Sequence, residues 1–306
     1  MIEIIATAES VRQAEQLIEA GVDTLNIGNN EFGLRLPGSF SIEEMKQITE
    51  LAHEHDKKVS IAVNALMHNE HIKKIVPYLK QLEAIGVDSI VVGDHGVIHL
   101  LKKESIKLPY IYDAQTMVTS ARQVNFWAKR GAIGAVLARE LTFTELKQIA
   151  EQTEIPVEIL VYGATCIHQS KRPLVENYFK FVDQKEDLSK ERGLFLSEPK
   201  KPETHYSIYE DEHGTHIFAT DDINLLPYLD DLANVGLKTW KLDGIYTPGE
   251  PFVDIAKIFV EAKQAIENNN WSESLTEKLQ AQIAELHPKE RTFNEGFFLK
   301  DPSEVQ

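Results

Sequence analysis

The sequence predicts an α/β protein of the (β/α)8 TIM-barrel type, with a β-hairpin inserted between strands seven and eight and a short helical and extended C-terminal tail. Three observations predict it. A unit made of the end of an amphipathic helix, a glycine and a short apolar strand recurs along the chain. Eight apolar strand-like segments alternate with helical ones, the pattern of parallel strands joined by right-handed crossovers. The eight units fit within residues 1–270, the size of one closed barrel. An open doubly wound sheet of the same elements is the alternative.

The first copy of the unit is Leu17 to Gly28, turning at Gly21, and the second is Leu82 to Gly93, turning at Gly86. The third is Trp127 to Ala138 around Gly131, and the fourth is Leu232 to Gly244 around Gly236. In each, the glycine accepts the left-handed conformation that ends a helix and lets the chain enter a strand at once. Strands are expected near 2–6, 22–27, 58–63, 88–92, 109–113, 135–138, 157–161 and 238–242. Ser41 with Glu44 is a capping-box signature, and Ile42, Met45, Ile48, Leu51 and Ala52 then repeat at helical spacing. The helix over 70–85 carries Ile72, Ile75, Val76, Leu79, Leu82 and Ile85 on one face; Pro77 within it should kink it or mark its start. From 164 to 221 the chain is long and polar. Its segment Tyr206 to Phe218 holds two alternating runs around Gly214, which reads as a hairpin. We therefore expect a barrel over 1–270 with its insertion at 164–221. A tail over 271–306, with a helix at 272–286 and an extended stretch from Arg291 to Phe298, packs on the barrel.

Composition narrows the function. The net charge of −16 argues against a broad nucleic-acid grip, because phosphate neutralisation needs Lys and Arg. The basic residues between Lys171 and Lys201 are interleaved with acids, which reads as a solvated loop. No apolar run approaches the length of a membrane span, and Met1 leads straight into a strand without a signal-like core. The single cysteine, Cys166, excludes an intramolecular disulfide and fits a cytoplasmic location.

In a barrel the chemistry sits just past the C-terminal ends of the strands. The residues found there include Glu31, Arg35, Asn64, Gln115, Arg139, Glu140, Cys166, His168 and Asp243, and the hairpin adds His213 and His216. Arg35 and Arg139 suit a small polar or anionic ligand, since a guanidinium binds carboxylate bidentately. The same groups equally serve as buried ion pairs that orient loops. Cys166 with His168 as base, and Glu140 as an acid–base group, form the catalytic candidates. A buried cysteine is more often inert. His213 and His216 would share a metal only if the turn folded them together, so no metal is expected.

Several segments resemble one family in their order along the chain. They are Glu158 to Ser170, Glu31-Phe32-Gly33-Leu34-Arg35, the Gln115 segment, Ala138-Arg139-Glu140-Leu141, Tyr209 to His216, Lys241-Leu242-Asp243-Gly244 and the tail from Arg291. The pattern is similar to that of the collagenase-like peptidases of family U32. The family name implies proteolysis. Its better-understood members instead assist hydroxylation of nucleic-acid bases or ubiquinone precursors, one group acting on the tRNA wobble uridine with prephenate as the implied oxygen source. Those members hold a four-iron, four-sulfur cluster through four cysteines. Here Cys166 matches the first, while the second and fourth positions fall at Pro173 and Asn224 and the third has no cysteine. No iron–sulfur cluster is therefore expected.

The chain resembles the short member that some bacteria carry beside a longer, cysteine-complete one. The resemblance then implies a subunit or partner in wobble-uridine 5-hydroxylation. A cluster-bearing paralogue would be its companion, and tRNA would be contacted indirectly. The alternatives are a collagenase-like protease and a non-catalytic barrel binding a small carboxylate.

Overall fold

The computed structural model describes residues 1–304, the side chain of Thr116 aside. The first part of the chain runs β1 (Glu3–Thr7), α1 (Val11–Glu19), β2 (Thr24–Gly28), α2 (Ile42–Glu54), β3 (Lys58–Ala62) and α3 (Asn69–Ile85). It continues through β4 (Ser89–Val92), α4 (His95–Lys103), β5 (Tyr110–Tyr112), α5 (Ala121–Ala128), β6 (Ala132–Val136), α6 (Phe143–Gln152) and β7 (Val157–Ser170). An insertion then holds α7 (Leu174–Phe181), β8 (Phe195–Glu198), β9 (Lys201–Asp211) and β10 (Gly214–Asn224). After it come α8 (Leu229–Asn234), β11 (Thr239–Leu242), α9 (Glu250–Glu267), α10 (Glu273–Leu286) and β12 (Thr292–Asn294).

β1 to β7 pair in sequence order, each parallel to the next. β11 pairs in parallel with both β1 and β7, which closes eight strands into a barrel and excludes the open sheet. Side chains alternate along each strand. One set, including Ile4, Ile27, Ile61, Ile90, Tyr110, Ile159 and Trp240, packs with the helices into the main core. The other set is largely polar. Asn26, Ser60, Ser89, Glu158 and Lys241 are all buried, and they bond to one another across the barrel.

Helix ends follow local chemistry. Ser41 and Glu44 cap α2 reciprocally, and Thr142 with Glu145 does the same for α6. Gly86 ends α3 in the left-handed region, at φ 77°. Three local expectations need correction. α3 begins at Asn69, so Pro77 lies inside it and does not mark its start. β6 begins at Ala132, three residues before the expected 135. The chain pairs immediately after Gly131, and a register shift beside Tyr110 leaves Ile133 half exposed.

β7 is the third correction. It was expected to stop at 161 but runs to Ser170, well past the barrel, because β10 folds back beside it as an antiparallel partner. The expected hairpin is present as β9 and β10, longer than its predicted 206–218 limits, and β8 adds a further strand. β12 pairs in parallel with β10, so the tail rests on the insertion's base. Arg291 fixes that contact. Its Nε and Nη2 donate to Asp222 Oδ1 at 2.8 and 2.6 Å, Nη1 donates to Ser207 Oγ at 2.8 Å, and Nη2 also donates to the Ala219 carbonyl at 2.8 Å.

Candidate functional site

The C-terminal ends of the barrel strands surround a cavity of about 100 Å³, roofed on one side by the extension of β7. Arg35 enters it from the loop after β2. Its Nη1 donates to Gln169 Oε1 at 2.8 Å and its Nη2 to Gln115 Oε1 at 2.7 Å. Both partners are neutral, and among the described residues no carboxylate pairs with this guanidinium. Arg35 and Gln115 also share a left-handed backbone, at φ 53° and 57°. Such strain is held only where surrounding contacts over-determine it. Asp113 supplies part of that hold: its Oδ1 accepts from the Gln115 backbone at 2.9 Å and its Oδ2 from Asn64 Nδ2 at 3.0 Å. Asn64 Oδ1 in turn accepts from the Leu34 backbone at 2.9 Å, next to Arg35.

Arg139 approaches from the loop after β6. Its Nη1 donates to the Ala164 carbonyl at 2.7 Å, and its Nη2 lies 3.7 Å from Asp243 Oδ2. Deeper in the barrel, Lys241 donates to Asn26 Oδ1 at 2.6 Å and lies 3.8 Å from Glu158 Oε1. Burial pushes the Glu158 carboxyl up against the opposing pull of Lys241. The hydroxyl of Thr165 also lines the cavity, and its oxygen is buried without a hydrogen-bond partner. Three cations, Arg35, Arg139 and Lys241, thus share one small space with the carboxylates of Asp113, Glu140, Glu158 and Asp243 and with several amide and hydroxyl groups, the kind of polar constellation that orients a small ligand.

Cys166 forms part of the wall. Its thiol donates to the His168 carbonyl at 3.3 Å, while the His168 side chain points outward and is exposed. The expected use of His168 as the base is therefore corrected. β10 pairs Phe218 with Cys166 and Ile217 with His168, so Ile167 is a bulge residue that breaks the alternation between the two. The imidazole beside the sulfur belongs to His216, which is fully buried. Its Nε2 lies 2.9 Å from Asp211 Oδ1.

The predicted residues divide accordingly. Arg35, Asn64, Gln115, Arg139, Glu140, Cys166 and Asp243 all line the cavity, Glu140 as an exposed group on its rim. Glu31 does not; its carboxylate turns out to Lys74 on α3, 2.7 Å away. His213 does not either. Its Nε2 donates to the Asn30 carbonyl at 2.6 Å, and burial lowers its pKa, so it is a neutral tether between the hairpin and the loop after β2. His216 sits behind Cys166. The sequence reading missed Lys241, Glu158 and Thr165 as cavity residues. The signal for the first two was a charge inside an apolar strand, Trp240-Lys241-Leu242 and Val157-Glu158-Ile159.

The residues present do not fit an iron–sulfur cluster. One thiolate is available, whereas such a cluster takes four sulfur or nitrogen ligands. Pro173 caps α7, and Asn224 is committed to the Leu226 backbone at 3.1 Å. Among the described residues no helix is long and apolar enough to cross a membrane.

Comparison with known proteins gives a consistent picture. The family model of Peptidase family U32 matches residues 9–306. The tRNA hydroxylation protein P2 of Bacillus subtilis is 35% identical over 98% of this chain and 98% of its own length. The tRNA hydroxylation protein P1 of the same bacterium is 25% identical over 79% of this chain and 58% of its own. The 23S rRNA 5-hydroxycytidine C2501 synthase of Escherichia coli is 22% identical over 80% of this chain but only 36% of its own length. Among solved structures, the U32 peptidase Mk0906 superposes with a TM-score of 0.50 at 14% identity, covering 79% of this chain and 92% of that one, a likeness of fold.

Proposed function

The chain belongs to Peptidase family U32, and from that premise we propose that it is a subunit or partner in tRNA wobble-uridine 5-hydroxylation, holding a small carboxylate in its barrel-mouth cavity. The observation that carries the second half is Arg35. A half-buried guanidinium whose hydrogen bonds all go to neutral amides keeps its charge for an incoming anion. Arg139, with one nitrogen on a carbonyl and another 3.7 Å from Asp243, stands across the same space.

The first half is supported by the relatives. The protein matched end to end is a tRNA hydroxylation protein, and the bacterium that carries it also carries the longer P1. A net charge of −16 fits a division of labour in which a cluster-bearing relative contacts most of the RNA, because this chain repels phosphate. The lone cysteine agrees, since any redox step then belongs to the companion. A collagenase-like activity is not favoured: relatives named for RNA hydroxylation match the chain over most of its length.

The test is genetic and direct. Deleting the gene should remove or sharply reduce 5-hydroxyuridine-derived nucleosides in tRNA, measured by mass spectrometry. Complementation with the native gene should restore them, and with Arg139→Ala it should not. Unchanged nucleoside levels in the deletion strain end this reading.

A further inference from the structure

Cys166 lacks the companions that would make it a cluster ligand, but it has an imidazole and an acid behind it. His216 lies on β10, where it is fully buried, and its Nε2 donates to Asp211 Oδ1 at 2.9 Å. That bond fixes the tautomer, leaving the lone pair on Nδ1. This Nδ1 is buried and has no hydrogen-bond partner of normal geometry, although buried polar atoms nearly always have one. The Cys166 side chain lies nearby, packed against the cluster that contains Tyr209 and Phe218. Tyr209 stacks on the imidazole with ring centres 4.9 Å apart and planes at 28°, which restrains the ring. A buried, unsatisfied acceptor thus lies near a thiol on the wall of a cavity that Arg35 and Arg139 also line. We propose that Cys166, His216 and Asp211 form an activated thiol that adds covalently to small electrophilic carboxylates entering this cavity.

The chemistry balances with the groups present. The thiol proton passes from Sγ to His216 Nδ1, giving a thiolate and an imidazolium held by Asp211. With an α,β-unsaturated acid whose carboxylate is held by Arg35 or Arg139, sulfur forms a bond to the β-carbon. The π pair moves to the α-carbon, which takes the proton back from the imidazolium. Nothing is oxidised and no co-reactant is consumed.

The electrostatics point the same way. Burial alone would push the Cys166 thiol up, but His216, Arg35 and Arg139 outweigh it and set the thiol below its ordinary value. Burial alone would lower His216, but Asp211 and the thiol outweigh it and raise the imidazole. Both shifts favour the same proton transfer. The cavity that the sulfur borders also carries the carboxylates of Asp113, Glu140, Glu158 and Asp243, while three groups packed near the thiol are neutral. They are the phenols of Tyr209 on β9 and Tyr246 after β11, both pushed up by burial, and the His168 carbonyl, which accepts the thiol hydrogen in the neutral state.

The proposal rests on reading the cavity as a small-acid site but on no role in tRNA, and its test is separate from the nucleoside assay. Because the chain has one cysteine, alkylation of the full-length protein, followed by intact mass, reports this thiol alone. Iodoacetamide should react with a pH midpoint below that of a glutathione control, whose thiol titrates near ~8.5. Iodoacetate carries the carboxylate, so its rate relative to iodoacetamide should exceed the same ratio for glutathione by about tenfold, and Arg35→Gln should remove that preference. Asp211→Asn should move the midpoint up by about one unit, because the imidazolium loses its counter-charge. Fumarate should leave a covalent adduct that Cys166→Ser abolishes. The wild-type profile stands by itself if a variant does not fold. A wild-type midpoint equal to the control's, or an iodoacetate ratio no better than the control's, overturns the proposal.

Discussion

Gly163 shows what a single residue contributes to the site. It sits in β7 where the strand leaves the barrel, at φ 120°, and a Cβ there would lie 2.3 Å from the Asp243 carbonyl oxygen. The close approach of the two strands sets Asp243 beside Arg139 and lets Ala164 present its carbonyl to the same guanidinium. Gly163→Ala combines a left-handed penalty of roughly 1–2 kcal/mol with an overpacking cost of roughly 1–3 kcal/mol. The variant should lose roughly 2–5 kcal/mol, read as a lowered midpoint of urea denaturation. A midpoint within error of the native one would mean the strands part at no cost. Arg35 and Gln115 carry strain of another kind. Their left-handed backbones are held by the bond between their own side chains and by the Asp113 turn, so the cavity's main cation is placed before any ligand arrives.

At the scale of elements, β7 joins the barrel to the insertion, and the tail secures that junction. Its first half pairs with β6 and β11 and its second half with β10, while β12 adds to the far side of β10. Arg291 and Asp222 lie at this seam, both buried. Removing one partner leaves the other charged without a counter-ion, at a cost of roughly 3–5 kcal/mol. Arg291→Met should therefore lower stability by that amount in chemical denaturation. The double variant Arg291→Met with Asp222→Leu should recover part of the loss, a recovery absent if the two charges do not depend on each other. This seam was poorly legible in the sequence. In the sequence Arg291 is marked only by its place in the family-like tail, and the local strand pattern ends β7 at 161. Val161-Tyr162 and Thr165 to His168 are good strand residues, but an edge beyond the barrel forms only when a partner 50 residues away folds back onto it, and composition is silent about that. The bulge at Ile167 was equally hidden, which is why His168 stood in the reading where His216 stands in the fold. The helix and strand rhythm was legible because each unit is local: a capped helix, a glycine and a short apolar run need no distant partner.

For the whole molecule, the polar lining of the barrel is the unusual feature. The interior of a (β/α)8 barrel is ordinarily filled by branched apolar side chains. Here Asn26, Ser60, Ser89, Glu158 and Lys241 occupy the axis, so stability depends more heavily on the helix-facing core and on the closing seam. His287 is where those two supports meet. Its Nδ1 is 2.9 Å from the Tyr162 hydroxyl of β7, its ring packs 3.8 Å from that of Phe293 on the tail, and its Nε2 lies 3.8 Å from Asp222 Oδ2. Burial, reinforced by the Arg291 and Lys289 charges, lowers its pKa to about 4. The unfolded chain has its imidazole near ~6.5, so between these values the unfolded state binds the proton and the folded state does not. Folding stability from this group is complete above pH ~6.5 and falls as the pH drops towards ~4, with no further loss below. The full loss should approach roughly 3 kcal/mol. His216 works in the opposite sense, since its raised pKa favours the folded state as acid is added, and the carboxylates titrate over the same range. The contribution of His287 is therefore isolated by comparing the native protein with His287→Gln, in which the amide can still bond Tyr162. Between pH 7 and 4.5 the native protein should lose roughly 2–3 kcal/mol more than the variant in urea denaturation; parallel curves would show that the seam tolerates a charged imidazole.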